Sequence, residues 1–249
     1  MGDILIHAGD LSQFGTFPEI QDQLTWLASQ PHEHKIVVAG NHDLLLDRDF
    51  VEAHPDRELG RPGKTRGDLE WGDVQYLEHD AVYVAVGDRW IQVFGSPWTP
   101  RCGSWAFQYE NANAPWEGAL PDDADVVVVH GPPKGYLDDG GKGCEILLKE
   151  LWRARPRVVV CGHIHAGRGQ KWLHFDRVDR WYEDAVLGRK WAWVSIAYLA
   201  FWVLWRAFSR VLSFGRGTLK GGRGQTQLVN AAVVGGRNKC DANAVVVVI

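Results

Sequence analysis

Gly40-Asn41-His42-Asp43 stands at the end of the apolar run Ile36-Val37-Val38-Ala39. It combines an amide carbonyl, an imidazole and a glycine that lets the backbone approach a ligand, which are parts of a metal-assisted phosphoester site. Taken alone, the tetrapeptide fits turn chemistry equally well, because Asn and Asp bond their own backbone. Three other places weigh against that bland reading. Ile4–His7 leads to Gly9-Asp10, Val126–Val129 leads to His130-Gly131, and Val158–Cys161 leads to Gly162-His163-Ile164-His165. Four short β-like runs thus end in side chains able to hold a metal. In His163-Ile164-His165 the alternation aims both imidazoles the same way if the segment is extended.

The elements that must position these groups follow from the pattern around them. Runs of Val and Ile without alternation read as strands buried on both faces, the habit of parallel sheets, and in such sheets ligands gather beyond the carboxyl ends of the strands. Pro18 opens a helix in which Ile20, Leu24 and Leu27 share one face. Leu44–Leu46 begins a further helix, and Pro55–Gly72 is an irregular loop. Val82–Val86 and Trp90–Phe94, joined by Gly87-Asp88, make a hairpin. Ser96–Pro121 is a long loop whose Trp98, Trp105, Phe107, Tyr109 and Trp116 either stack on a substrate ring or, the favoured reading, pack the loop itself. Asp125–His130, a helix over about Cys144–Arg155, and Arg157–Cys161 form a β-α-β crossover, and Gln227–Val233 and Ala244–Ile249 are closing strands. His7 is expected to be a satisfied core residue.

The residues Gly9-Asp10, Gly40-Asn41-His42-Asp43, His130-Gly131 and Gly162-His163-Ile164-His165 resemble, in order and spacing, the calcineurin-like metallophosphoesterase superfamily. With Asp3–Ala8, Phe94–Trp98 and Val229-Asn230-Ala231 added, the chain looks closest to the metallophosphoesterase-domain-containing protein branch. The resemblance runs from residue 2 to about 174 and resumes near 226. It implies an α/β fold, a four-layer α/β/β/α sandwich of two mixed sheets. It also implies a dinuclear centre of transition metals (Mn, Fe or Zn) whose bound hydroxide attacks a phosphoester, with small phosphodiesters such as cyclic nucleotides as substrates. In that scheme Asp10 bridges the metals, Asn41, His130 and His163 complete one site, His165 serves the other, and His42 is the catalytic residue that protonates the leaving group or holds phosphoryl oxygens. Gln13 stands where Ser/Thr phosphatases of the superfamily carry a supporting Asp, which argues against that subclass.

One departure matters. The family's opening Asp-x-His motif is missing, since Met1-Gly2-Asp3 runs directly into the strand of the second motif. The expectations are an N-terminally truncated fold lacking its first strand, one complete metal site, and impaired turnover. Asp3 cannot substitute, because at strand rise it lies roughly 20 Å from Asp10. The alternatives are a degenerate metal- or nucleotide-binding protein and a membrane-associated adaptor.

With 249 residues and 45% hydrophobic content the chain can bury one α/β core, and a single domain over 1–249 is expected. The formal charge of −4 is unevenly spread. Between Ala185 and Gln225 lie seven basic residues (Arg189, Lys190, Arg206, Arg210, Arg216, Lys220, Arg223) and no acidic one, leaving −11 elsewhere. No specific nucleic-acid binding is expected. Four cysteines without CxxC pairing suggest a reducing compartment, and the start of the chain carries no basic-then-apolar leader, so a cytoplasmic address is expected. The insertion at about 185–225 contains Trp191–Phe208, apolar around nearly its whole helical circumference. Its uncharged stretch reaches only about 22 Å against a hydrocarbon core of roughly 30 Å. Trp191–Arg223 is therefore expected to lie in an anionic membrane surface, or else to cap the domain or form an oligomer contact.

Overall fold

Branching at Cβ makes valine and isoleucine favour extended chain, so the runs that carry the candidate ligands become strands. The computed structural model describes residues 2–60, 63–189, 192–212, 224–233 and 243–249. Its first half runs β1 (Ile4–Ala8), α1 (Phe17–Ala28), β2 (His34–Val38), α2 (Arg48–Ala53), β3 (Val74–Tyr76), β4 (Asp80–Val86), β5 (Arg89–Ser96), β6 (Thr99–Pro100) and β7 (Gln108–Tyr109). There follow β8 (Val126–Val129), α3 (Glu145–Ala154), β9 (Val158–Cys161), β10 (Gly169–Leu173), α4 (Arg177–Val186), α5 (Ala192–Leu212) and β11 (Thr226–Asn230).

β1, β2 and β3 form one sheet and β10-β11-β9-β8-β5-β4 another, while β6 and β7 pair by themselves. The smaller sheet is wholly parallel, with Ile4 opposite His34 and Lys35 opposite Val74, which corrects the expectation of two mixed sheets. Its links are crossovers, β1 to β2 through α1 and β2 to β3 past α2, and a crossover brings the chain back in the same direction. The larger sheet is mixed: β5, β8, β9 and β11 are parallel, and β4 and β10 pair antiparallel at its margins.

Strand alternation divides each valine run between two cores. Ala8, Ile36 and Val38 of the small sheet meet Val93, Val126, Val128, Val158 and Val160 of the large one. Val37 and Ala39 face Ile20, Leu24 and Leu27 of α1, whereas Val127, Val129, Val159 and Cys161 face Leu147, Leu148 and Leu151 of α3. The carboxyl ends of β1 and β2 therefore open beside those of β8 and β9.

Two other expectations change. Leu44–Leu46 is a single 3-10 turn, and α2 starts only after Asp47, whose side chain accepts from Phe50 N. Ala244–Ile249 is no strand: Val246 and Val248 are exposed, and the segment is held by Val247 against the core between the sheets and by Arg89 Nη1 donating to Ile249 O. A valine run becomes a strand only where a neighbouring edge accepts its ladder, and no described strand does so here. Among the described residues no helix is long and apolar enough to cross a membrane. Of the seven basic residues of the insertion, only Arg189 has a described side chain; Trp191, 213–223 and Cys240 also lie outside the described residues.

Candidate metal centre

Two glycines let the loops of the two sheets close on each other. Gly9 adopts φ 91, and a Cβ there would stand 2.5 Å from His130 Nδ1. A Cβ on Gly40 would stand 2.3 Å from both the backbone N and Oδ1 of Asp10. Asp10 and His163 themselves adopt φ 57 and 61, a region that side chains other than glycine's rarely enter. Such strain costs on the order of 1–3 kcal/mol per residue and persists where surrounding contacts impose it, commonly at functional sites.

The result is a convergence of ligand atoms. One atom each from Asp10, His130 and His163 lie within 4.8 Å of one another. The His130 ring is fully buried, and its Nδ1 lies 2.7 Å from Ala8 O, which can only accept, so Nδ1 carries the hydrogen. Nε2 then faces Asn41 Oδ1 at 3.0 Å and Asp10 Oδ1 at 3.3 Å. With a neutral ring, three lone-pair atoms meet without a hydrogen among them, an arrangement that a cation satisfies. A backbone carbonyl fixing the far nitrogen is also how ligating imidazoles are oriented.

The electrostatics favour positive charge at the same point, where a proton on His130 Nε2 competes with a metal cation. Burial works against the Asp10 carboxylate, but the charge and hydrogen bond of His130, with the backbone N–H of His42, hold it well below the usual range. Burial also opposes a charged His130, yet the Asp10 carboxylate outweighs it and raises the imidazole. His163 is pushed down to about 3 by burial and then by the charge of His130, so its ring is neutral.

His42 lies beside the cluster. Its backbone N donates to Asp10 Oδ1, its Nδ1 donates to Gln13 O at 2.9 Å, and its ring lies 4.3 Å from that of Trp105. Gln13 thus holds the imidazole through its backbone carbonyl. His165 sits in the 3-10 turn His165–Gly167, outside the three-residue cluster. Of the loop aromatics, Phe107, Tyr109 and Trp116 are buried and Trp98 packs partly against two cores. His7 corrects its expectation: Nδ1 is buried without a partner, and burial pushes the ring down to about 4.

Two supporting residues were not singled out by the sequence argument. Buried Asp43 accepts from Gly40 N (2.8 Å), Leu11 N (3.1 Å), Ser12 N (2.9 Å) and Ser12 Oγ (2.7 Å), stitching the loop after β1 to the loop after β2. Burial and the charge of Asp10 push its carboxyl up to about 6. Asn230 donates from Nδ2 to Leu137 O and Ile164 O, and so ties the end of β11 to the backbone between His163 and His165. The signal for Asp43 was its place in the Asn41-His42 motif; that for Asn230 was its place at the end of a β run.

Residues 1–167 match the family described as calcineurin-like phosphoesterase. The chain is 41% identical over 238 residues to a probable rhamnogalacturonate lyase C of Emericella nidulans, an alignment covering 94% of this chain and 21% of that protein. It is 36% identical over 181 residues to metallophosphoesterase domain-containing protein 1 of Homo sapiens, covering 68% of this chain and 56% of the human one. The chain therefore spans little more than half of the human protein and about a fifth of the fungal one. Among solved structures, one from Thermus thermophilus aligns with a TM-score of 0.44 at 14% identity, over 70% of this chain and 73% of that one. By the match that spans its four strand-end motifs, the chain belongs to the calcineurin-like phosphoesterase family.

Proposed function

We propose that this chain hydrolyses phosphoesters at a divalent transition-metal centre held by Asp10, Asn41, His130 and His163, with small phosphodiesters such as cyclic nucleotides as the substrate class. The observation that carries the reading is the meeting of His130 Nε2, Asn41 Oδ1 and Asp10 Oδ1 at the strand ends of two sheets. The three cores are read as an α/β/β/α sandwich that brings those ends together. The ligand set, one carboxylate, one amide oxygen and two neutral imidazoles, suits Mn, Fe or Zn. When bound, such a cation supplies Lewis-acid stabilisation of a phosphoryl oxygen.

The remaining steps belong to this chain's own groups. Because Gln13 O takes the hydrogen at Nδ1, the Nε2 of His42 is the atom left to give a proton to a leaving alkoxide or to bond a phosphoryl oxygen. Trp105 covers one face of that ring and restricts its rotation. Asp43 keeps the Asp10 and Asn41 loops in register. The lyase name of the fungal relative is not carried over, since this chain spans 21% of that protein.

A second reading has its own observation. His165 stands outside the cluster, so one metal is held firmly and a second weakly or not at all, which suits a metal- or nucleotide-binding protein with impaired turnover. Hydrolysis of a generic aryl phosphodiester by chelator-stripped protein, with and without added Mn²⁺, separates the two. Metal-restored turnover that Asn41→Ala abolishes supports the hydrolase. Bound metal without turnover supports the binder.

A further inference from the structure

Among the described residues, little protein surrounds the apolar helix α5. Its ring contact to α4 is Trp181 stacked on Tyr198, with centroids 4.3 Å apart. Trp193, Val194, Ile196, Phe201, Val203, Leu204, Trp205 and Phe208 are all more than half exposed, Trp193 the most at 82%. At 100° per residue these positions occupy most of the helical circumference, far wider than the stripe of roughly 100° that a surface helix turns to a core. Trp202 and Leu199 are less exposed and lie on the remaining side, with Tyr198 at its margin.

The mount beneath α5 is firm. Tyr182 of α4 donates to Gly135 O, Glu183 accepts from Tyr136 Oη and Trp152 Nε1, and Arg189 pairs with Glu145 at the start of α3. α4 carries five charged residues, two Arg among them, whereas α5 has no charged residue before Arg206.

We propose that α5 is a membrane-docking helix that lies in the interface of an anionic bilayer. Charge selects this occupant. Seven basic residues and no acidic one lie between Ala185 and Gln225, in a chain whose remainder carries −11. A second copy of the chain would bring the same cationic segment against itself, whereas anionic headgroups complement it. Among the described residues no helix is long and apolar enough to cross a membrane, and the aromatic residues of α5 suit the boundary between headgroups and acyl chains.

The test is sedimentation of the full chain with phosphatidylcholine vesicles, with and without about 30% phosphatidylserine, a fraction that gives the surface its negative potential. Binding should require the anionic lipid and fall as salt is raised. Val203→Ser, Leu204→Ser and Trp205→Ser together, all at exposed positions, should abolish it. Arg206→Glu with Arg210→Glu should weaken it at least tenfold, roughly the effect of two basic residues near such a surface. Metal content checks that each variant has kept its fold. Equal binding to neutral vesicles, binding unchanged in the folded variants, or a stable dimer that ignores vesicles would each overturn the proposal.

Discussion

Replacing Gly40 by alanine adds one methyl group where the loops of the two sheets meet. Its Cβ would stand 2.3 Å from Asp10 N and Oδ1 and 2.5 Å from His130 Cε1, where ordinary contact begins at 3.4 Å. Asp10 N is backbone, and the buried His130 ring is bonded at both nitrogens, so neither moves aside as a flexible chain end would. Relief needs a loop displacement of about 1 Å, and overpacking of this kind costs about 1–3 kcal/mol. For a chain of this length that lowers the unfolding midpoint by roughly 2–12 °C, leaving a folded protein. Metal sites tolerate ligand shifts of only about 0.2 Å, so affinity should fall by more than about 100-fold, the upper end of losses on removing an outer-shell partner. Calorimetric titration with Mn²⁺ beside thermal unfolding reads both effects. Gly67→Ala is the control, because its Cβ would meet only Thr65 Oγ1 at 3.5 Å. A Gly40→Ala protein that binds Mn²⁺ with the parent's affinity would refute the reasoning.

Asn41→Ala and His163→Ala should each remove metal and any activity, whereas His42→Ala should lower turnover with metal retained; elemental analysis and phosphodiester hydrolysis on the same samples separate these outcomes. Metal affinity should fall with acid: His130 is raised and must lose its Nε2 proton to ligate, while Asp10 stays ionised and His163 stays neutral. Below the raised His130 value the association constant should drop about tenfold per pH unit, as expected when one proton is displaced, and a flat titration profile would contradict it. Asp43→Ala leaves the N–H groups of Leu11, Ser12 and Gly40 without their acceptor, though it also removes a buried carboxyl pushed up to about 6. The net should be a loss of about 1–3 kcal/mol in urea unfolding, and a stabilised variant would show that burial of the carboxylate outweighs its bonds.

Much of the site was legible because its geometry is local. A glycine, a turn and a ligand at the end of an apolar run are consecutive residues, so Asp10, Asn41, His130 and His163 could be read one strand at a time. What one strand cannot reveal is its partner. That β1 and β2 lie in one sheet and β8 and β9 in another depends on crossovers over long separations, and the wholly parallel small sheet follows from the same links. The failure at Ala244–Ile249 has this cause: valine propensity is local, whereas a free edge in register is not. Asp43 was hidden because the donors from Leu11 and Ser12 come from another loop, 31 or 32 residues away. β10 and α4 were missed because Gly169–Leu173 and Arg177–Val186 carry too many polar residues for either apolar period to stand out.

The most direct test of the centre is elemental analysis of the chain after loading with Mn²⁺ and exhaustive dialysis, beside His163→Ala treated alike. One tightly held equivalent in the parent and none in the variant is the result expected if Asp10, Asn41, His130 and His163 hold the metal. A metal that survives the loss of His163 would contradict that assignment, and two tightly held equivalents would contradict the reading of a single firm site.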